Sequence, residues 1–149
     1  KRCAIVADGD LEPSDAATPD PEEDDENLTE VAKPELSSLA NAFVKICMCD
    51  TTFERELTHR STLEMFAAAA KELGAGTVAG RLLKAFAELP TGENLNANQN
   101  KTLEAARNTV LRTAKRFGKA RFAQVASGHV EKAKWLPPYI REAVKWLIG

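Results

Sequence analysis

The chain opens with a short apolar run, Cys3-Ala4-Ile5-Val6-Ala7, entered through Arg2 and left at Asp8. A brief, continuously apolar centre is what a strand covered on both faces shows, so residues 2–7 predict a strand. A second run of the same kind, Ala42 to Cys49, predicts another over 42–49. Between them lie Pro13, Pro19, Pro21 and Pro34, with the acidic run Glu22-Glu23-Asp24-Asp25-Glu26 in the middle. Proline removes backbone donors and like charges repel, which predicts a solvated excursion over 12–35. Residues 36–41 predict a short helix.

Beyond residue 50 the apolar spacing turns helical. Ser61 and Glu64 form a capping-box pattern ahead of Leu63, Phe66, Ala67 and Ala70. Gly74 and Gly76 break that helix, and another is predicted over 77–88, closed by Pro90. Pro90 to Asn100 reads as a loop. A long helix follows over about 100–116, and Gly118 separates it from one over 119–131. Pro137 and Pro138 suit a first helical turn. The final helix carries Ile140, Ala143, Val144 and Leu147 at i, i+3, i+4 and i+7, a predicted core face. No internal repeat is present.

Strands joined by a long crossing, with helices between and after, predict an α/β fold: a parallel sheet flanked by helices. Residues 1–75 would form a partial α/β core and residues 76–149 a helical C-terminal part. In such sheets ligands bind beyond the carboxyl ends of the strands. There this chain carries acids: Asp8-Gly9-Asp10 after the first strand, and Thr51-Thr52-Phe53-Glu54 after the second. Three carboxylates brought together as anions raise one another's pKa unless a cation lies between them. Hard oxygen ligands favour magnesium, manganese or calcium.

Asp8 and Asp10 project the same way in extended chain, and Gly9 lets the backbone approach a ligand. An EF-hand reading fails, because Glu12 and Pro13 stand where its fifth and sixth positions require Asp or Asn and Gly. Two acids capping a turn is the plainer alternative. Glu54 has one too, since Thr51-x-x-Glu54 is itself a capping-box pattern. Glu56 is the weaker ligand candidate, and Asp50 could serve as a cap.

Length and composition narrow the class. With 149 residues, 44% of them hydrophobic, the chain can bury a core of its own. No apolar stretch approaches a membrane span, and no signal peptide opens it. Because Lys1 leads at once into a strand, the chain reads as a piece of a longer protein. Cys3, Cys47 and Cys49 are odd in number and sit in apolar strands, which predicts reduced thiols and a cytoplasmic setting, with Cys47 and Cys49 as buried small hydrophobes. His59 and His129 lack zinc spacing, and Trp135 and Trp146 read as packing residues.

The net charge of −2 hides an asymmetry. Residues 1–60 carry 15 acids and 6 bases, a net −9, while residues 61–149 carry 7 and 14, a net +7. Arg112, Lys115, Arg116 and Lys119 recur at i, i+3, i+4 and i+7 and continue into Arg121. Such a stripe suits phosphate neutralisation with salt-sensitive affinity; a solvated helix face is the alternative. Lys119 follows Gly118 at a helix start, where the helix dipole disfavours a cation, and a residue set against local preference invites a functional reason.

Taken together these elements resemble the catalytic Toprim domain, in the version found in the overcoming-lysogenization-defect family of nucleases. Ile5-Val6-Ala7-Asp8-Gly9-Asp10 resembles the Toprim Asp-x-Asp strand. Thr52-Phe53-Glu54-x-x-Leu57 resembles the family's Thr-Leu-Glu-x-x-Leu element, with Phe53 in place of Leu. Gly118-Lys119-Ala120-Arg121-Phe122-Ala123-Gln124 resembles its lysine-bearing helix, and Pro137-Pro138-Tyr139-Ile140 its closing segment. The resemblance implies a Toprim-like sheet whose N-terminal strand, with its glutamate motif, lies upstream of Lys1. It implies metal binding by Asp8, Asp10 and Glu54, with one or two Mg2+ or Mn2+ ions and Ca2+ as a non-catalytic substitute. It assigns Lys119 and Glu54 to catalysis, DNA as substrate, and an upstream ATPase domain of the same protein as partner, where ATP would bind. Arg112, Lys115, Arg116 and Arg121 would then contact the DNA backbone. Two rival classes remain. A haloacid-dehalogenase-like phosphohydrolase also carries Asp-x-Asp after its first strand, but expects Thr where this chain has Glu12. A nucleic-acid-binding module would keep the basic helix without a complete metal site.

Overall fold

The computed structural model describes residues 1–7, 36–92 and 94–149. Asp8, Asp10 and the proline-rich acidic stretch through Glu35 lie outside the described residues. The chain is mixed α/β and mostly helical, and its contacts divide it into two compact units: residues 1–52 with 138–149, and residues 53–137.

Among the described residues the first unit holds two parallel strands, β1 (Cys3–Ala7) and β2 (Val44–Met48), paired from Cys3 opposite Val44 to Ala7 opposite Met48. The parallel pairing agrees with the expectation from the apolar runs. A 3-10 turn, Leu36–Leu39, precedes β2. Asn41 then shapes the entry, its Oδ1 accepting from the Phe43 amide at 2.8 Å and the Val44 amide at 3.1 Å. Asn suits this role because its side chain mimics a backbone turn. Cys47 and Cys49 are buried, as their small apolar side chains predict, and Cys3 is exposed.

The C-terminal helix, α6 (Pro138–Ile148), packs against both strands. The Trp146 indole N–H donates to the Cys3 carbonyl at 3.1 Å, and the Arg2 guanidinium lies 4.9 Å from the Trp146 ring centroid. Lys45 pairs with Glu142 at 3.3 Å. The predicted core face of this helix is only partly right. Ala143 is buried, but Val144 and Leu147 are nearly half exposed. The two strands among the described residues meet one stripe of the helix, and the flanking apolar positions stay exposed.

The second unit is helical: α1 (Phe53–Leu57), α2 (Leu63–Glu72), α3 (Gly76–Glu88), α4 (Ala97–Phe117) and α5 (Lys119–Ser127). Leu63, Phe66, Leu82, Val110 and Phe122 fill its core, with the small faces of Ala69, Ala70 and Ala114 letting helices approach. Phe66 and Phe122 stack with centroids 5.7 Å apart, joining α2 to α5.

Several boundaries depart from the sequence expectation for identifiable reasons. The Ser61–Glu64 box does not form. Instead His59 Nδ1 accepts from the Ser61 amide at 3.2 Å and Thr62 Oγ1 accepts from the His59 amide at 3.0 Å, so a 3-10 turn (Arg60–Thr62) precedes α2. His59 also stacks on Trp135 with centroids 4.5 Å apart, a structural role for both rings. The long helix starts early, at Ala97, because Asn96 and Gln99 cap each other's amides at 2.9 Å. The following helix stops at Ser127 before Gly128, and a separate 3-10 turn covers Val130–Lys132.

Candidate functional site

Gly118 decides where Lys119 points. It lies at φ 85°, a region that an L side chain rarely adopts, and there α4 ends and α5 begins in a new direction. The basic stripe is therefore not one helix face. Arg112, Lys115 and Arg116 stand exposed on the last turns of α4, while Lys119 and Arg121 are exposed on the first turn of α5. The Arg116 guanidinium lies 5.4 Å from the Phe117 ring centroid. Among the described residues, none of Arg112, Lys115, Arg116 and Arg121 has an acidic partner.

Lys119 does have one. Its Nζ is 3.7 Å from Glu54 Oε2, an ion pair between residues far apart in the chain. The two ends of the pair differ sharply in environment. The Glu54 side chain is 14% exposed and the Lys119 side chain 48%. Glu54 Oε2 is shut off from solvent and has no hydrogen-bond partner. At 3.7 Å the ammonium attracts it without donating a hydrogen bond to it. Oε2 is held beside a cation and not by a hydrogen bond.

Glu54 stands on α1, and α1 has only five residues. Helices this short do not persist by themselves, so side chains must hold it. Thr58, fully buried, donates from Oγ1 to the Glu54 carbonyl at 2.6 Å. Thr62, also fully buried, donates to the Leu57 carbonyl at 2.7 Å. Arg55 forks onto α4, donating to Glu104 Oε2 at 2.6 Å and to Asn108 Oδ1 at 2.7 Å. Arg107 donates to the other oxygen of Glu104 at 2.6 Å. Burial alone would raise the Glu104 pKa; hydrogen bonds and charge from Arg107 and Arg55 outweigh it and hold the carboxyl below its usual range.

The Arg55–Glu104–Arg107 cluster escaped the sequence reading. Glu104 and Arg107 are spaced i, i+3 on a helix, which signals a pair. Nothing local marks Arg55 as the third member.

Among the described residues no group of three or more His, Cys, Asp and Glu side chains could hold a metal ion. Two of the three expected ligands, Asp8 and Asp10, lie outside those residues. Glu54 by itself has the character of a hard ligand: an ionisable oxygen, buried and unsatisfied. His129 pairs with Glu72 at 2.8 Å and stands apart as a structural contact.

No protein-family model matches the chain, and neither a curated protein nor a solved structure matches it. Among the described residues no helix is long and apolar enough to cross a membrane.

Proposed function

We infer that this chain is the catalytic part of a metal-dependent DNA endonuclease with a Toprim-like core, working beside an ATPase domain of the same protein. The observation that carries this reading is the Glu54–Lys119 pair at 3.7 Å. The acid and the lysine belong to separate motifs, and they meet. Two further facts support it. Ala7 pairs with Met48, so β1 and β2 run parallel and end at the same rim of the sheet. On the helix turns either side of Gly118 stand exposed cations that have no acidic partner among the described residues, a surface suited to a polyanion.

Asp8, Asp10 and Glu54 are the residues that would hold magnesium or manganese, with Glu54 Oε2 as an oxygen donor in need of a partner. The ion supplies Lewis acidity and an activated water for phosphodiester hydrolysis. Lys119 neutralises charge on the scissile phosphate, a role that favours the transition state over the substrate. Its half-exposed side chain leaves the ammonium reachable from solvent. Arg112, Lys115, Arg116 and Arg121 track the phosphate backbone without reading sequence.

Supercoiled plasmid with added Mn2+ provides the test. The wild-type chain nicks it, and Asp8→Ala and Lys119→Ala each abolish nicking; Ca2+ in place of Mn2+ retains DNA without cutting it. Retention on DNA with no cleavage in Mn2+ would instead identify a binding module. A trapped aspartyl-phosphate at Asp8 would identify the phosphohydrolase class.

A further inference from the structure

We propose that Arg55, acting through Glu104, Arg107 and Asn108, is a positioning residue that sets the Glu54 carboxylate against Lys119. This rests on reading Glu54 and Lys119 as the working pair. All the residues involved belong to the second unit.

The argument begins with α1. Its five residues cannot define their own orientation, and Glu54 lies in the first turn. The Thr58 and Thr62 hydroxyls join α1 only to the chain just after it. They shape the turn but do not set α1 relative to α4. Leu57 packs against the core and Arg107 Nε reaches the Thr58 carbonyl at 3.5 Å, both at the far end of α1; Arg55, adjacent to Glu54, makes the connection to α4 at the end that carries the carboxylate. Its two terminal nitrogens engage Asn108 at 2.7 Å and Glu104 at 2.6 Å, one helical turn apart on α4. Two donors in a rigid planar fork fix direction as well as distance. Arg107 grips the other oxygen of Glu104 at 2.6 Å, so the acceptor is itself immobilised.

The second end of the pair is tied to the same helix. Lys119 begins α5 directly after the turn at Gly118 that ends α4. Both members of the pair are thus referenced to α4, one through the arginine fork and one through the chain. The fork is retained although Arg55 Nε is buried without a partner. A guanidinium placed for stability alone would be expected to use that donor.

The test reads the pair without relying on nuclease activity. The ε-methylene 1H–13C signal of Lys119, assigned by its loss in Lys119→Arg, is followed at fixed pH without DNA or metal. Glu54→Gln sets the displacement for a broken pair. Arg55→Ala is expected to move the signal at least half that far, and Asn108→Ala part of the way. Arg55→Lys, which keeps the charge but not the fork, is expected to restore it only in part. In plasmid nicking, Arg55→Ala is expected to lower kcat tenfold or more with KM for DNA within twofold. Should Arg55→Ala lose its folded spectrum, the surface change Asn108→Ala decides. A Lys119 signal unmoved by Arg55→Ala and Asn108→Ala, but moved by Glu54→Gln, overturns the positioning role, as does a signal that Glu54→Gln itself leaves in place. If the wild-type chain nicks nothing, the nuclease reading falls while the Lys119 signal still decides this one.

Discussion

Replacing Glu54 with Gln separates a functional carboxylate from a structural one, because the two make opposite predictions for stability. Across 3.7 Å the pair attracts. Two unit charges near that distance interact by about 1 kcal/mol in water and about 4 kcal/mol at the effective dielectric of a protein surface. Lys119 is half exposed, so solvent screens the pair, and exposed pairs of this kind are worth about 0.2–1 kcal/mol. Against that stands Glu54 Oε2, shut away without a hydrogen bond. A buried polar group left unsatisfied costs about 1–3 kcal/mol, more when it is charged. The cost outweighs the attraction. Gln keeps the shape and removes the charge, although its amide is still a polar group in the same place, so Glu54→Gln is expected to leave stability unchanged or raise it by less than about 1 kcal/mol. Urea unfolding near neutral pH in EDTA measures this. In excess Mn2+ the order reverses: wild type gains stability through binding and the variant gains less. A purely structural ion pair predicts the contrary, a loss on breaking it, approaching 3–5 kcal/mol were it fully buried. A loss of about 2 kcal/mol or more in EDTA would refute the reasoning, by showing that the carboxylate stabilises the fold.

Further expectations follow from the same contacts. Phe122→Ala removes a buried ring stacked on Phe66 and should cost about 3–5 kcal/mol in urea unfolding, loosening the helix that carries Lys119. The Glu104 carboxyl titrates below its usual range in the folded chain, so its contribution is fully present above the ordinary carboxylate pKa and is lost as pH falls through the lowered folded value. The stability deficit of Glu104→Gln should accordingly be greatest near neutral pH and fade in acid, as measured by urea midpoints across a pH series. Removing Arg112, Lys115 and Arg116 together should weaken DNA binding alike for all sequences. Each lost phosphate contact should flatten the salt dependence of duplex binding by about 0.9 in logarithmic slope, read by titration at several salt concentrations.

What was legible in the chain was whatever local pattern controls. The apolar runs at Cys3–Ala7 and Val44–Met48 marked both strands, and Gly118 marked the break before Lys119. Caps were less legible, because several residues near one helix start can compete for the same amides. Ser61 and Glu64 matched the capping pattern, yet His59 and Thr62 took the bonds. At α6 the i, i+3, i+4, i+7 pattern identified a helix but overstated its buried face, since the surface packed against it decides how much is covered.

The candidate site shows the same division. Glu54 and Lys119 stood out one at a time, through motifs each carries in its own neighbourhood, while the distance between them belongs to the packing of α1 and α5 about α4. The return of Pro138–Ile148 to strands at the opposite end of the chain and the grip of Arg55 on Glu104 are likewise matters of packing. Periodicity and turn chemistry act over a few residues, so the amino-acid order alone determined which segments became strands, helices and breaks. Which side chains finally touch depends on how distant segments exclude water from one another, and that only the folded chain decided.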